Sequence, residues 1–224
     1  ELTSKEYAKK INQKLKLFKF MTPPPSPSTS IEPGEYIRKE SIETTHYSIA
    51  DQYGNIISNT YTLNSSFGSG VTIEGTGILM NNEMDDFSAS PGTPNQFGLL
   101  GGEANKIVPE KRPLSSMTPT IVLRDGLPYF ATGSPGGSRI ITSVLQSILN
   151  IVDFELEVSD AILAPRVHHQ WYPDILQLEK SYNSHHAETL AKKGYEVLMI
   201  NPATALQIVM IKNNFFYGFG DTRR

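Results

Sequence analysis

The 224-residue chain contains no cysteine, and it has no long uninterrupted run of apolar residues. The absence of cysteine excludes disulfide bonds, thiol catalysis and thiolate metal sites. No apolar run approaches the roughly 20 residues that a membrane-spanning helix needs. Because the chain has neither a signal peptide at its start nor an initiator methionine, we expect it to be part of a longer precursor.

The chain also has no large excess of charge of one sign. Its 20 basic and 23 acidic residues give a net charge of −3, which gives no indication of a nucleic-acid partner or an anionic membrane surface. Hydrophobic residues make up 38% and charged residues 19%, which is typical of a globular protein with a sizeable core.

The pattern divides the chain into residues 1–43 and residues 44–224. Thr3 and Glu6 form a capping-box pattern, which predicts a basic helix from residue 5 to about residue 18. Residues 21–30 are so rich in proline and serine that we interpret them as an exposed, extended linker. After about Glu43 the pattern becomes that of a folded domain.

Residues 44–224 alternate predicted hairpins with predicted helices. Strands are predicted at 47–50 and 56–63, at 120–123 and 127–131, and at 195–200, 207–211 and 215–219. Apolar residues at three- and four-residue intervals predict a helix over 138–154, and a shorter helix over 184–193 ends at Gly194. The fold class is therefore predicted to be α+β, with helices packed on largely antiparallel sheets.

The first candidate for chemistry is Glu43-Thr44-Thr45-His46, at the boundary between the two parts. Paired threonines are also ordinary strand formers, and a single histidine beside them is commonly structural. A cut before Thr44 would expose an α-amino group with a pKa of about 7.7–8.0. That amine could act as the general base for the Thr44 hydroxyl, so cleavage would also be activation.

A glycine-rich turn at residues 133–139 precedes the long predicted helix. Such turns point backbone N–H groups at anions, but the lysine of the Walker pattern is missing. The amides of Gly136 and Gly137 could instead form an oxyanion hole. A tight turn that caps the helix is the simpler alternative.

Two further polar clusters could hold a substrate. Glu83, Asp85 and Asp86 could bind an ammonium group or a metal, although the EF-hand spacing is absent. Ser115 and Ser116 could bind a carboxylate through their hydroxyl groups. Each cluster alone is also typical of a polar loop.

Four histidines occur as two adjacent pairs, His168-His169 and His185-His186. Neither pair has a zinc-binding spacing, so we expect no metal. We expect His168 and His169 to pack or form hydrogen bonds near Trp171.

Together these segments resemble γ-glutamyltranspeptidase, whose motifs they follow in order and spacing over nearly everything from Thr44 onward. The matching segments are residues 44–47, 61–64, 81–87, 111–117, 133–139 and 164–166, and residues 2–8 resemble the tail of the family's large subunit. The resemblance implies the αββα sandwich of N-terminal-nucleophile hydrolases, with 1–43 as the large-subunit tail or pro-segment and 44–224 as the catalytic small-subunit region. It also implies self-cleavage between Glu43 and Thr44.

The resemblance also implies a role for each matching residue. Thr44 would be the nucleophile and Thr62 would tune it, while Gly136 and Gly137 would form the oxyanion hole. The substrate's α-amino end and α-carboxylate would be held by Asn64, Glu83, Asp86, Ser115 and Ser116. Residues 91–102 match a lid, in which Phe97 stands where many bacterial members have tyrosine.

The reaction implied is transfer of the γ-glutamyl group of glutathione, or of another γ-glutamyl compound, to water, an amino acid or a dipeptide. No cofactor is implied. The partner implied is the large subunit of the same precursor, and the location is periplasmic or extracellular. Two alternatives are a non-catalytic protein with the same fold, and an enzyme for a different substrate, as in the related capsule-processing and cephalosporin acylases.

Overall fold

The computed structural model describes residues 44–223 continuously, together with Lys5, Glu6, Lys9 and Gln13, which are helical. Those four positions agree with the predicted helix that begins near residue 5. The rest of that helix, its capping box, the Pro/Ser-rich linker and Glu43 lie outside the described residues.

Nine strands and three α-helices follow in the continuously described part. They are β1 (Thr45–Ala50), β2 (Ile56–Tyr61), β3 (Thr120–Arg124), β4 (Leu127–Gly133), α1 (Arg139–Val152), α2 (Val158–Leu163), β5 (Val167–His168), β6 (Leu176–Glu179), α3 (Ser184–Lys192), β7 (Val197–Ile200), β8 (Gln207–Lys212) and β9 (Phe215–Gly220). Two short 3-10 helices, Glu83–Asp86 and Glu103–Asn105, interrupt the long connection from β2 to β3. None of the helices that the structure describes is long and apolar enough to cross a bilayer.

The predicted hairpins and the helices predicted over 138–154 and 184–193 are confirmed to within about three residues at each end. Helix α2 and strands β5 and β6 were not predicted. They have six, two and four residues, which is too short for a helical or strand period to stand out.

Two sheets pack face to face near Thr44, where the continuously described part begins. The hairpin β1–β2 lies against a four-stranded sheet of order β3-β4-β8-β9, in which every neighbouring pair is antiparallel. The Ser58 hydroxyl of β2 donates a hydrogen bond of 3.0 Å to the carbonyl oxygen of Thr132 in β4. On β1, the buried ring of His46 fills the space beside Gly133, where a side chain would collide with it.

Helices α1 and α2 cover the other face of the four-stranded sheet. Because side chains alternate along a strand, Phe130, Ile208 and Met210 point away from the face that carries Gly133. They form one apolar core with Ile140 and Val144 of α1, and Ile162 of α2 belongs to the same cluster. A smaller sheet, in which β5–β6 is antiparallel and β6–β7 parallel, lies beside α1 and carries α3.

Candidate active site

The hairpin register brings Thr44 and Thr62 side by side. Thr45 pairs with Tyr61, so the residues just before β1 and just after β2 are neighbours. The Thr44 hydroxyl donates a hydrogen bond of 3.1 Å to Oγ1 of Thr62, and the same oxygen accepts one of 2.9 Å from the backbone N–H of Asn64. Thr62 therefore fixes the direction of the Thr44 side chain.

Thr44 lines a pocket of about 330 Å³, its open mouth included. Most of the predicted site residues lie together on its wall. The lining consists of Thr44, Thr62, Asn64, Glu83, Asp86, Phe97, Ser116, Met117, Gly137 and Ile140. Six separate stretches of the chain thus meet at the pocket that holds the Thr44 hydroxyl.

The acidic wall of this pocket carries two carboxyl groups with raised pKa values. Glu83 and Asp86 stand at the two ends of a single 3-10 turn, and their carboxyl groups are close enough to hydrogen-bond. Burial, followed by the nearby charge of Asp86, raises the pKa of Glu83 to about 7. Burial also raises the pKa of Asp86. Oε1 of Glu83 is buried and accepts no hydrogen bond from any described residue, so it can receive one from a bound cation.

The paired serines take different positions. Ser116 lines the pocket of Thr44, whereas Ser115 lines a larger adjoining cavity whose wall also includes Asp86 and Ser116. The Asn105 side chain connects this segment to the acidic turn. Its Nδ2 donates a hydrogen bond of 2.7 Å to the carbonyl oxygen of Asp86, and its Oδ1 accepts one of 2.9 Å from the N–H of Leu114.

The glycine-rich turn leads from β4 into α1. The carbonyl groups of Gly136 and Gly137 accept hydrogen bonds of 3.2 Å from the N–H groups of Arg139 and Ile140, which begins the helix. Among residues 44–223, no acceptor is found for the N–H of either glycine. Gly137 lines the pocket and Gly136 is buried behind it. The turn therefore both caps the helix and leaves two amides for another acceptor.

The segment that carries Phe97 is fastened over the pocket. Phe97 is half-buried on the pocket wall, and its N–H donates to Oδ1 of Asn95 at 3.0 Å. Oε1 of Gln96 accepts a hydrogen bond of 3.1 Å from the Ser65 hydroxyl. The backbone N–H of Gln96 donates one of 3.3 Å to the carboxylate of Asp85. These hydrogen bonds connect the predicted lid segment to the segments that carry Ser65 and Asp85.

Three of the histidines, His46, His168 and His169, form structural contacts outside this pocket. Burial lowers the pKa of His46 to about 4, so its ring is neutral near pH 7 and bonds Thr60 and Ser48. His168 is buried and bonds the hydroxyl of Thr142 at 2.9 Å, while His169 pairs with Asp174 at 2.9 Å. In the part of the chain that is described, no group of three or more histidine, aspartate or glutamate side chains could hold a metal ion.

Comparison with known proteins decides the family. The family model described as Gamma-glutamyltranspeptidase matches residues 1–224. This chain belongs to the γ-glutamyltranspeptidase family. It is 48% identical over 223 residues to the glutathione hydrolase proenzyme of Escherichia coli strain K12, a match that covers 99% of the chain and 38% of that relative. It is 56% identical over 147 residues to the Pseudomonas aeruginosa glutathione hydrolase proenzyme, covering 65% of the chain and 26% of the relative.

Solved γ-glutamyltranspeptidases have the same fold as this chain. An acivicin-inhibited γ-glutamyltranspeptidase superimposes with a TM-score of 0.77 at 48% identity, over 80% of this chain and 98% of the other. A mutant of the Helicobacter pylori enzyme gives 0.76 at 49% identity, over 80% and 100%. The predicted α+β class and N-terminal-nucleophile hydrolase fold are confirmed. The described residues supply both sheet layers and one helix layer of the αββα sandwich.

Two pocket residues of this γ-glutamyltranspeptidase chain were not predicted as site residues. Met117 directly follows the paired serines, and Ile140 opens the apolar face of α1. Neither carries a chemical signature in the sequence, because an apolar wall residue has the same pattern as a core residue. Of the predicted residues, Gly136 and Ser115 are next to wall residues rather than on the wall itself.

Proposed function

We propose that the complete protein is a γ-glutamyltransferase and glutathione hydrolase that cuts itself between Glu43 and Thr44. The chain spans 38% of the length of its E. coli relative, so this proposal concerns more of the protein than these 224 residues. One observation carries it. The Thr44 hydroxyl, directed by Thr62 at 3.1 Å, opens into the same pocket as the acidic pair and Gly137.

In the self-cleavage step, Oγ1 of Thr44 attacks the carbonyl carbon of Glu43. The peptide nitrogen takes a proton and leaves, which converts the amide into an ester on Thr44. Water then hydrolyses that ester, so that Glu43 becomes a carboxylate and Thr44 keeps both its hydroxyl and a free amine. That amine is the base that the uncut chain lacks.

In turnover, the Thr44 amine takes the hydroxyl proton while Oγ1 attacks the γ-amide carbon of the donor. The N–H groups of Gly136 and Gly137 stabilise the developing oxyanion. The amide nitrogen receives the proton and leaves as cysteinylglycine, and the γ-glutamyl group remains on Thr44 as an ester. Water or the amine of an amino acid or dipeptide then attacks that ester and restores the hydroxyl.

The donor's free α-amino acid end fits the charges of the pocket. An α-ammonium group would pair with the carboxylates of Glu83 and Asp86, with Asn64 beside them, and the α-carboxylate would lie at Ser115 and Ser116. Gripping both charges fixes which carbonyl reaches Thr44 and converts binding energy into orientation. Internal residues of poly-γ-glutamate have no free α-amino group and would leave the acidic pair unpaired, so glutathione is favoured over the interior bonds of that polymer.

Capture of the acyl group tests this function. The purified, matured protein is mixed with glutathione, quenched in acid and digested with a protease. The masses of the resulting peptides are then measured. We expect a γ-glutamyl group on Thr44 and cysteinylglycine in solution, and much slower release of glutamate from poly-γ-glutamate. An acyl group on any other residue, or none with glutathione while another acyl donor is turned over, would contradict the proposal.

The family resemblance also leads us to propose a heterodimer of the two cleavage products and a periplasmic or extracellular location. Fractionation of the cells that make the protein, followed by size measurement of the product, tests both. We expect two associated fragments outside the cytoplasm. A single uncut chain in the cytoplasmic fraction would contradict both proposals.

A further inference from the structure

The glycine-rich turn is held in place by a second segment, residues 203–205, that leads into β8. Gly136 has a φ of +138°, and a Cβ at this position would collide with Cγ2 of Thr204 and lie 3.1 Å from the carbonyl oxygen of Ala203. Thr204 thus fills the space that a side chain on Gly136 would need. Thr204 is itself buried, at 2% exposure. The backbone of the turn cannot move toward Thr204 without meeting its methyl group.

A hydrogen bond also joins the two segments at Ser134, two residues before Gly136. The fully buried hydroxyl of Ser134 accepts a hydrogen bond of 2.9 Å from the N–H of Ala205 and donates one of 2.6 Å to the carbonyl oxygen of Pro135. The turn is therefore attached at Ser134 and supported by packing at Gly136. The peptide that carries the Gly137 amide follows directly.

The Thr204 side chain has little freedom to rotate. Its Oγ1 accepts a hydrogen bond of 2.8 Å from Arg166 and lies 3.0 Å from the hydroxyl of Ser143 on α1. Arg166 also donates to the carbonyl oxygen of Thr204 at 3.3 Å. With the hydroxyl held on one side, the methyl group must point to the side where Gly136 lies.

Arg166 is in turn fixed by buried carboxylates near the end of the described chain. Its guanidinium donates to Oδ2 of Asp221 at 2.6 Å, and Arg223 joins Asp221 and Glu179 at 3.0 Å each. Arg166, Asp221 and Glu179 are each at most 6% exposed. A buried ion network of this kind keeps its geometry because any departure leaves a charge without a partner.

We propose that Thr204 is a positioning residue for the oxyanion hole, and that its methyl group sets the place of the Gly136–Gly137 amides. This inference rests on the proposed function. Thr204 lies outside the pocket lining that includes Glu83, Asp86 and Ser116. Its loss should therefore slow acyl transfer to Thr44 and leave binding of the donor's α-amino and α-carboxylate groups nearly unchanged.

Thr204→Ser is the decisive substitution, because it keeps the hydroxyl that Arg166 and Ser143 hold and removes only the methyl group. In the complete, matured protein, rapid-mixing measurements with a γ-glutamyl anilide give the acylation rate constant and the donor dissociation constant separately. A small displacement of catalytic groups can change rates by up to about a hundredfold. We expect acylation to slow about tenfold and the dissociation constant to stay within about twofold.

Val158→Ala provides the matched control, because it also removes buried apolar atoms, from α2 in the core at a distance from the pocket. It should lower thermal stability and leave acylation as in the wild type. An unchanged acylation rate in Thr204→Ser, or an equal loss in Val158→Ala, would overturn the inference. A wild-type protein that forms no acyl-enzyme would instead overturn the proposed function.

Ser143→Ala provides a second test that keeps the Thr204 methyl group and removes one of its two side-chain anchors. If Thr204→Ser does not mature, this variant decides the question. Slower acylation with unchanged donor affinity would support the positioning role. Acylation at the wild-type rate would contradict it.

Discussion

The hydroxyl of Thr44 donates a hydrogen bond of 3.1 Å to the hydroxyl of Thr62, which also accepts the backbone N–H of Asn64. The Thr62 oxygen is thus a fixed acceptor, because the N–H of Asn64 also donates to it. The antiparallel register of β1 and β2 makes this pair a direct product of the hairpin. The fold therefore fixes the direction of the Thr44 hydroxyl, the proposed nucleophile, in the absence of substrate.

Replacing Thr62 by valine keeps the shape of the side chain and removes the acceptor. The Thr44 hydroxyl then loses its direction, so we expect acylation from a γ-glutamyl donor to slow about tenfold or more. Thr62→Ser keeps the oxygen and should stay within a few-fold of the wild type. Equal acylation rates in the valine and serine variants would contradict the role of this hydrogen bond.

The raised pKa of Glu83 makes donor binding depend on pH. Its pKa of about 7 means that the carboxylate form, which we propose to pair with the donor's ammonium group, is lost as the pH falls below 7. One pH unit below the pKa leaves about a tenth of the carboxylate, so the donor dissociation constant should rise about tenfold between pH 8 and pH 6. Glu83→Gln should bind the donor more weakly and with a flatter pH dependence, as measured by acylation kinetics at each pH.

The same carboxyl group also affects stability, with a definite sign. Its pKa in the folded protein lies above the ordinary value of 4.5, so its stabilising contribution is present below that value and is lost as the pH rises through about 7. Glu83→Gln should therefore raise Tm relative to the wild type at pH 8 and have little effect at pH 4.5. A larger gain at the lower pH would show that the pKa is not raised.

Close packing of Gly133 against His46 holds β1, the strand that follows Thr44, against the central sheet. A side chain at Gly133 would collide with the buried ring of His46, which lies two residues after Thr44. Overpacking of this kind costs typically about 1–3 kcal/mol, so Gly133→Ala should lower Tm and slow acylation together. Gly218→Ala is the matched control, since no atom lies within 4 Å of its added Cβ and β9 lies at the far edge of the sheet. A Gly133→Ala protein with wild-type stability and rate would contradict this packing.

Much of the fold could be predicted from the sequence, because its helices and hairpins are marked by patterns among residues close together in the chain. Helix α1 has an apolar stripe at helical spacing, and the turns at Asp51–Asn55 and Arg124–Asp125–Gly126 separate short strand-like segments. The strand pairing of β4 with β8 was not predictable, because some seventy residues separate the two strands along the chain. Short elements such as β5 exist only through contacts with neighbouring strands.

The site residues were predicted from ordered motifs rather than from geometry. Thr44, Thr62, Glu83 and Gly137 belong to separate segments, and nothing in their spacing places them in one pocket. The support for the glycine-rich turn is of a different kind. Thr204 acts through packing and Asp221 through a buried ion pair. The sequence does not reveal either contact, because both residues lie far along the chain from the turn that they support.

The buried ion network predicts a large loss of stability when one charge is removed. Asp221→Ala leaves Arg166 without its nearest carboxylate, a change that typically costs about 3–5 kcal/mol and should lower Tm by roughly 10 °C. Glu103→Ala, which breaks the exposed pair with Lys106 at 3.0 Å, should change Tm by less than about 2 °C. Similar losses in the two variants, measured by thermal unfolding, would contradict a buried and strongly coupled network.

The most direct test of Thr44 as the nucleophile is the intact mass and amino-terminal sequence of the complete purified protein after incubation. We expect two fragments, one of which begins at Thr44, and a Thr44→Ala variant that remains whole and forms no γ-glutamyl enzyme. Thr44→Ser is the control, because it keeps a hydroxyl nucleophile and should still mature. A folded wild-type protein that stays uncut, or a Thr44→Ala protein that still matures, would contradict the assignment of Thr44 as the nucleophile.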